Sequence, residues 1–133
     1  MQPGRKPNVL RLLTDEHISP AVAAQAAARC RGMRIVAIQR WEHGHLLSAA
    51  DDLVLLEAHK QKLTLVTFDL RTMPPLLRLW AERGIDHSGA ILVDERTIPQ
   101  NNVGGLVIAL CALWKAQGHM HWTNRVVYLR AAP

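Results

Sequence analysis

The chain has 133 residues, 49% hydrophobic and 20% charged, enough for one domain with its own core. Lysine and arginine number 16 against 11 for aspartate and glutamate, a formal net charge of +5. That balance suits a polyanionic partner such as RNA or DNA, although a solvated basic surface would look the same. No apolar stretch is long enough to span a bilayer. Two cysteines, Cys30 and Cys111, fit neither a disulfide framework nor a zinc site, so free buried thiols and a cytoplasmic home are expected.

Residues 1–7 are basic with no apolar signal core behind them, and read as a flexible start to a single domain spanning 1–133. Residues 8–13 form an apolar run of strand length that ends at Thr14-Asp15-Glu16. Ser19-Pro20 then opens an alanine-rich helix that Gly32 closes. A second strand is expected over 33–39, followed by a loop over 40–50. Asp51 or Asp52 caps the next helix, which runs to about Lys62. Residues 63–67 make a third strand ending at Phe68-Asp69. Pro74-Pro75 starts a helix that Gly84 ends, 89–93 make a fourth strand, 99–117 a helix, and 122–129 a last strand. Gly104-Gly105 weakens the start of that long helix.

Strand and helix alternate throughout, which predicts an α/β fold with a mainly parallel sheet of four or five strands between two helical layers. An order such as 2-1-3-4-5 makes the first and third strands neighbours where the strand order reverses, and ligands of such sheets bind at that point. Both strands end in an aspartate, Asp15 and Asp69. Asp51 and Asp52 start a helix at the same edge. Carboxylates gathered there repel unless a cation joins them, and oxygen-only donors suit Mg²⁺ or Mn²⁺ rather than zinc. Such a cation can activate water against a phosphodiester. Taken one at a time, Asp51 and Asp52 are helix caps, and Asp15 and Asp69 are turn residues.

Other residues attract attention at this edge. His17 follows Asp15 closely enough to orient a ligand or a phosphate, or to make a local loop bond. Arg40 and Trp41 could hold phosphate and stack on a base, while a core tryptophan beside a surface arginine is the plainer alternative. The pairs His43/His45 and His119/His121 read as surface loop histidines, and Trp80 and Trp114 as core. Arg71, Arg78 and Arg83 form either a basic face near the acids or a solvated helix face.

The segments Leu12-Leu13-Thr14-Asp15-Glu16-His17, Ala50-Asp51-Asp52-Leu53-Val54-Leu55-Leu56-Glu57-Ala58 and Leu65-Val66-Thr67-Phe68-Asp69, with Thr72-Met73-Pro74 and the closing 122–129, resemble the toxin-type PIN-like proteins. These are compact relatives of the VapC-type ribonucleases. The resemblance covers roughly residues 9–129 and rests on the order and spacing of the motifs together. It implies a three-layer PIN-like sandwich and an endoribonuclease dependent on Mg²⁺ or Mn²⁺. It implies RNA as substrate, a cognate antitoxin protein as partner, and an assembly compatible with a homodimer. Carried over by position, Asp15, Asp69 and either Asp51 or Asp52 are the catalytic and metal-binding acids, with Arg71, Arg40 and His17 available to the substrate. The chain departs from the family where a further acid is common shortly after the last aspartate: it has Leu70, Arg71 and Thr72. Asp94 and Glu95 are the other acids at a strand end. A PIN-like protein that only binds RNA or a protein is the second expectation. A response-regulator-like module is a third, but it needs a lysine after a late strand, where this chain has Asp94-Glu95-Arg96.

Overall fold

In the computed structural model, which describes residues 9–133, short apolar runs become strands and the alanine- and leucine-rich stretches become helices. The flexible start expected for 1–7 lies outside the described residues. Strands β1 (Arg11–Thr14), β2 (Arg34–Ala37), β3 (Thr64–Thr67), β4 (Ala90–Val93) and β5 (Val126–Leu129) form an all-parallel sheet in the order β2-β1-β3-β4-β5. Helices α1 (Pro20–Arg29), α2 (Asp51–Lys60), α3 (Met73–Glu82) and α4 (Val103–Gln117) cover its two faces. The architecture is the α/β class that the alternation predicts.

The sheet divides the core. Leu12, Val66, Ile91 and Val93 face α1 and α4 through Val22, Ala26, Leu106 and Leu110. Leu13, Leu65 and Leu92 face α2 and α3 through Val54, Leu55, Leu77 and Trp80. Successive strand residues alternate between these two sets, as the pleat requires. Cys30 and Cys111 are free and buried, as expected. Burial, reinforced by the adjacent Cys30, pushes the Cys111 thiol up to about 12, so it is an unreactive core residue.

Two helix starts differ from expectation, each for a local reason. The long helix begins at Val103 rather than at residue 99, because Pro99 and Asn102 close a turn first (Asn102 N–H to the Pro99 carbonyl, 2.9 Å). The Asn102 side chain then caps the helix by accepting from Gly105 N–H at 2.9 Å. A Cβ on residue 105 would lie 2.5 Å from Asn102 Nδ2, so glycine is what admits the cap. Helix α2 has Ala50 at its N-cap, with no side-chain cap bond. The capping role expected of Asp51 or Asp52 is therefore corrected: both lie in the first turn, where carboxylates favour the helix dipole.

The crossovers have a feature that periodicity does not encode. The step from β1 to β2 runs toward one edge of the sheet, and the three later steps run toward the other. Helices α2 and α3, on later steps, lie on the face opposite α1, so the first three crossovers share one hand. Helix α4 lies on the α1 face although its step runs with those of α2 and α3. The β4–α4–β5 crossover is thus of opposite hand to the rest, against the strong general preference for right-handed connections. Its consequence is local: the α3 side of β5 has no helix over it, and Val126 and Tyr128 are exposed there.

Candidate functional site: an acidic cleft at the strand ends

β1 and β3 are hydrogen-bonded neighbours at the point where the strand order reverses. The chain leaves both at the same edge. Asp15 directly follows β1, and its N–H still bonds the Val66 carbonyl of β3 at 3.1 Å. Asp69 lies two residues past β3, its N–H donating to Thr67 Oγ1 at 3.0 Å. Asp51 opens α2 at the same edge. These three carboxylates line one cleft of about 210 Å³, together with Glu16 and His17, over a floor that includes Ile38, Leu65 and Met73.

Threonine hydroxyls tie the acids together. Thr67 Oγ1 donates to Asp15 Oδ2, while the other Asp15 oxygen accepts His17 N–H at 2.9 Å. Asp69 Oδ1 accepts the N–H groups of Arg71 (3.0 Å) and Thr72 (2.9 Å). Thr72 Oγ1 bonds Asp69 Oδ2 and also lies 3.1 Å from Asp51 Oδ2. The two strand-end aspartates consequently differ in proton affinity. Burial pushes the Asp15 carboxyl above the usual range, against its bonds from Thr67 and His17, and the Asp51 charge adds to the rise. Asp69 is partly desolvated too, but the Thr72 hydroxyl and the N–H groups of Thr72 and Arg71 outweigh this and hold it below the usual range. Neighbouring carboxylates with separated affinities are a recurrent arrangement in acid–base sites.

The expected site residues fall into two groups. Asp15, Asp51, Asp69 and His17 line the cleft; Asp52 does not, and its Oδ1 accepts the following Leu53 N–H at 2.8 Å. Arg71 and Arg40 are exposed and are not among the cleft-lining residues. Arg71 touches the site through its backbone N–H rather than its guanidinium. Trp41 is buried in the α2/α3 core, which settles its plainer alternative. Asp94 supplies no further acid to the cleft, because Arg96 holds it with two bonds of 3.0 and 3.1 Å and keeps its carboxyl below the usual range. Glu95 is exposed and does not line the cleft. Glu16 is the acid the sequence reading passed over. Its Oε2 accepts Ser48 N–H at 3.1 Å, drawing the 40–50 loop toward the cleft. Its position next to Asp15 was the available signal.

The donor set fits a hard divalent cation in its chemistry. One hydroxyl proton on Thr72 serves only one of Asp69 and Asp51 at a time, which leaves lone pairs on the other carboxylate for solvent or a cation. Among the described residues, no three Asp, Glu, His or Cys side chains converge closely enough to hold an ion as they stand. Binding requires at least one carboxylate to turn, and Asp15, held by Thr67, is the one farthest from the Thr72 bridge in the bonding scheme.

A larger cavity of about 430 Å³ lies between α3 and β5, lined by Leu77, Arg78, Ile85, His87, Val126 and Tyr128 among others. It is mostly apolar and lacks the convergence of carboxylates, so the cleft is the better chemical candidate. Among the described residues, no helix is long and apolar enough to cross a membrane. Comparison with protein-family models, curated proteins and solved structures finds no match to this chain.

Proposed function

We propose that this protein is a divalent-cation-dependent phosphodiesterase of the PIN-like kind that cleaves RNA in the cytoplasm, as the toxin of a toxin–antitoxin pair. The observation that carries the reading is the meeting of Asp15, Asp51 and Asp69, from three separate elements, in one cleft at the reversal of strand order. A bound Mg²⁺ or Mn²⁺ would offset phosphate charge and make a water more acidic. Asp51 and Asp69 would hold the ion, with Asp15 beside them in the same cleft. Asp15, which binds a proton more readily than an ordinary aspartate, is suited to accept one from the attacking water. His17 stands beside Asp15 and Asp69, near where a scissile phosphate would sit. The net charge of +5 assists approach of a polyanion.

The decisive experiment pairs two measurements on purified protein: RNA cleavage with Mn²⁺, and Mn²⁺ binding followed by electron paramagnetic resonance. Asp69→Asn is expected to abolish cleavage and weaken Mn²⁺ binding by at least roughly tenfold. Cleavage by this variant at the parent rate sinks the proposal. A second reading, RNA binding without turnover, is favoured by two observations: among the described residues the acids do not form a ready three-donor cage, and Arg71 stands where PIN-like nucleases commonly carry another acid. Metal-independent RNA binding with no cleavage selects it.

A further inference from the structure

The opposite edge of the sheet carries a pair of like charges. Arg11 and Arg34 are register partners on the parallel strands β1 and β2, about 4.8 Å apart across the ladder. The pairs that follow fix their face. Leu12 and Ile35 belong with α1 and α4, Leu13 and Val36 with α2 and α3. Alternation therefore turns both arginines to the α2 side. Like charges directly opposite on neighbouring strands repel.

Neither arginine has an ion-pair partner among the described residues. Among the described residues the ion pairs are Lys60–Glu57 and Arg96–Asp94, and residues 1–8 contain no aspartate or glutamate. Arg11 is half-buried. Its Nη1 donates to the Gln61 carbonyl at 3.2 Å, at the end of α2. That bond gives Arg11 a capping role, but it uses one donor of five. Arg11 Nε is buried with no acceptor among the described residues. Burying a donor without an acceptor is costly, and a guanidinium offers its Nε and Nη together to an oxyanion. Both arginines line a cavity of about 310 Å³, with Met33 and Leu63 among its apolar walls.

We propose that Arg11 and Arg34 form an oxyanion site that takes a phosphate group. An anion there offsets the repulsion and satisfies the buried Nε in one step. The site lies at the N-terminal ends of the strands, away from the acidic cleft, and does not depend on the function proposed for that cleft.

The test is a titration of the ¹⁵N-labelled full chain with inorganic phosphate, following the arginine Nε–H resonances against sodium chloride of equal ionic strength. A saturable shift of Arg11 Nε–H is expected. Arg34→Gln, a change at an exposed side chain, is expected to weaken it by roughly tenfold; Asp69→Asn is expected to leave it unchanged. A short single-stranded RNA added at saturation tells the sources apart. If it displaces phosphate, the ligand is a phosphodiester backbone; if it does not, the ligand is a small phosphorylated molecule. Absence of a saturable shift, or one that Arg34→Gln leaves unaltered, overturns the proposal.

Discussion

Thr72 carries one proton and faces two carboxylates, and this arrangement makes it the most informative side chain of the cleft. Thr72→Val removes the hydroxyl and keeps the backbone N–H bonds to Asp69. The expected cost is about 1–2 kcal/mol, read from denaturant unfolding. The Asp69 carboxyl should titrate higher than in the parent, since its largest stabilising partner is gone. Asp15 acts in the opposite sense. Burial holds its carboxyl above the ordinary range, so the folded protein favours the protonated form more than the unfolded chain does. Its contribution is then fully favourable below the ordinary aspartate range and is lost as pH rises through the raised value. Asp15→Asn should raise the melting temperature at pH 7, by on the order of a few degrees. The gain should shrink to nothing near about pH 3, where both proteins are uncharged at this position. An unchanged or lower melting temperature at pH 7 would contradict burial as the dominant cause. A stabilised variant without cleavage is the usual mark of a residue kept for chemistry at a cost to the fold.

At the scale of elements, the strands were legible because each is a short apolar run with a turn residue after it. Asp15 and Asp69 were legible for the same reason: they stand where the run stops. The choice between Asp51 and Asp52 was not. Val54, Leu55 and Ala58 follow Asp51 at helical spacing and are buried, which puts Asp51 on the inner face. But Leu53 and Leu56 are also apolar and are 42% and 41% exposed, so the sequence offers two overlapping stripes and no rule for rotating the helix. For Glu16 the sequence offered only its place beside Asp15, because its direction depends on a loop bond to Ser48, 32 residues away. Asn102 and Gly105 form a pair that only the structure explains. Asn102→Ala should cost about 1 kcal/mol through the lost cap of α4. Gly89 is the stricter case. It has φ near +100°, and a Cβ there would stand 2.8 Å from the Trp122 carbonyl. Gly89→Ala should cost roughly 3 kcal/mol, from backbone strain and the clash together, and a loss under about 1 kcal/mol would show that the loop yields.

For the whole molecule, alternation of strand and helix was sufficient to predict a mainly parallel sheet, with 2-1-3-4-5 as one order such a sheet takes, since few topologies join such elements with short connections. The hand of the last crossover lay beyond it, because it depends on which face of the sheet α4 finds rather than on any local pattern. That choice has a consequence during synthesis. Helix α1, residues 20–29, finds its main partner in α4, residues 103–117, so one of the two cores joins the ends of the chain. The opposite core, built on α2 and α3, is complete by the end of β4. A nascent chain released only to residue 94 therefore has one face closed, while on the other α1 alone stands over the sheet and Leu12, Val66, Ile91 and Val93 lack the cover of α4. Such a chain should bind a hydrophobic dye and aggregate, whereas the full chain should do neither. Joining α1 to α4 across so wide a sequence gap carries a loop-closure cost, so refolding should be slower than for a chain of this size with local contacts, and sensitive to anything that captures the open face.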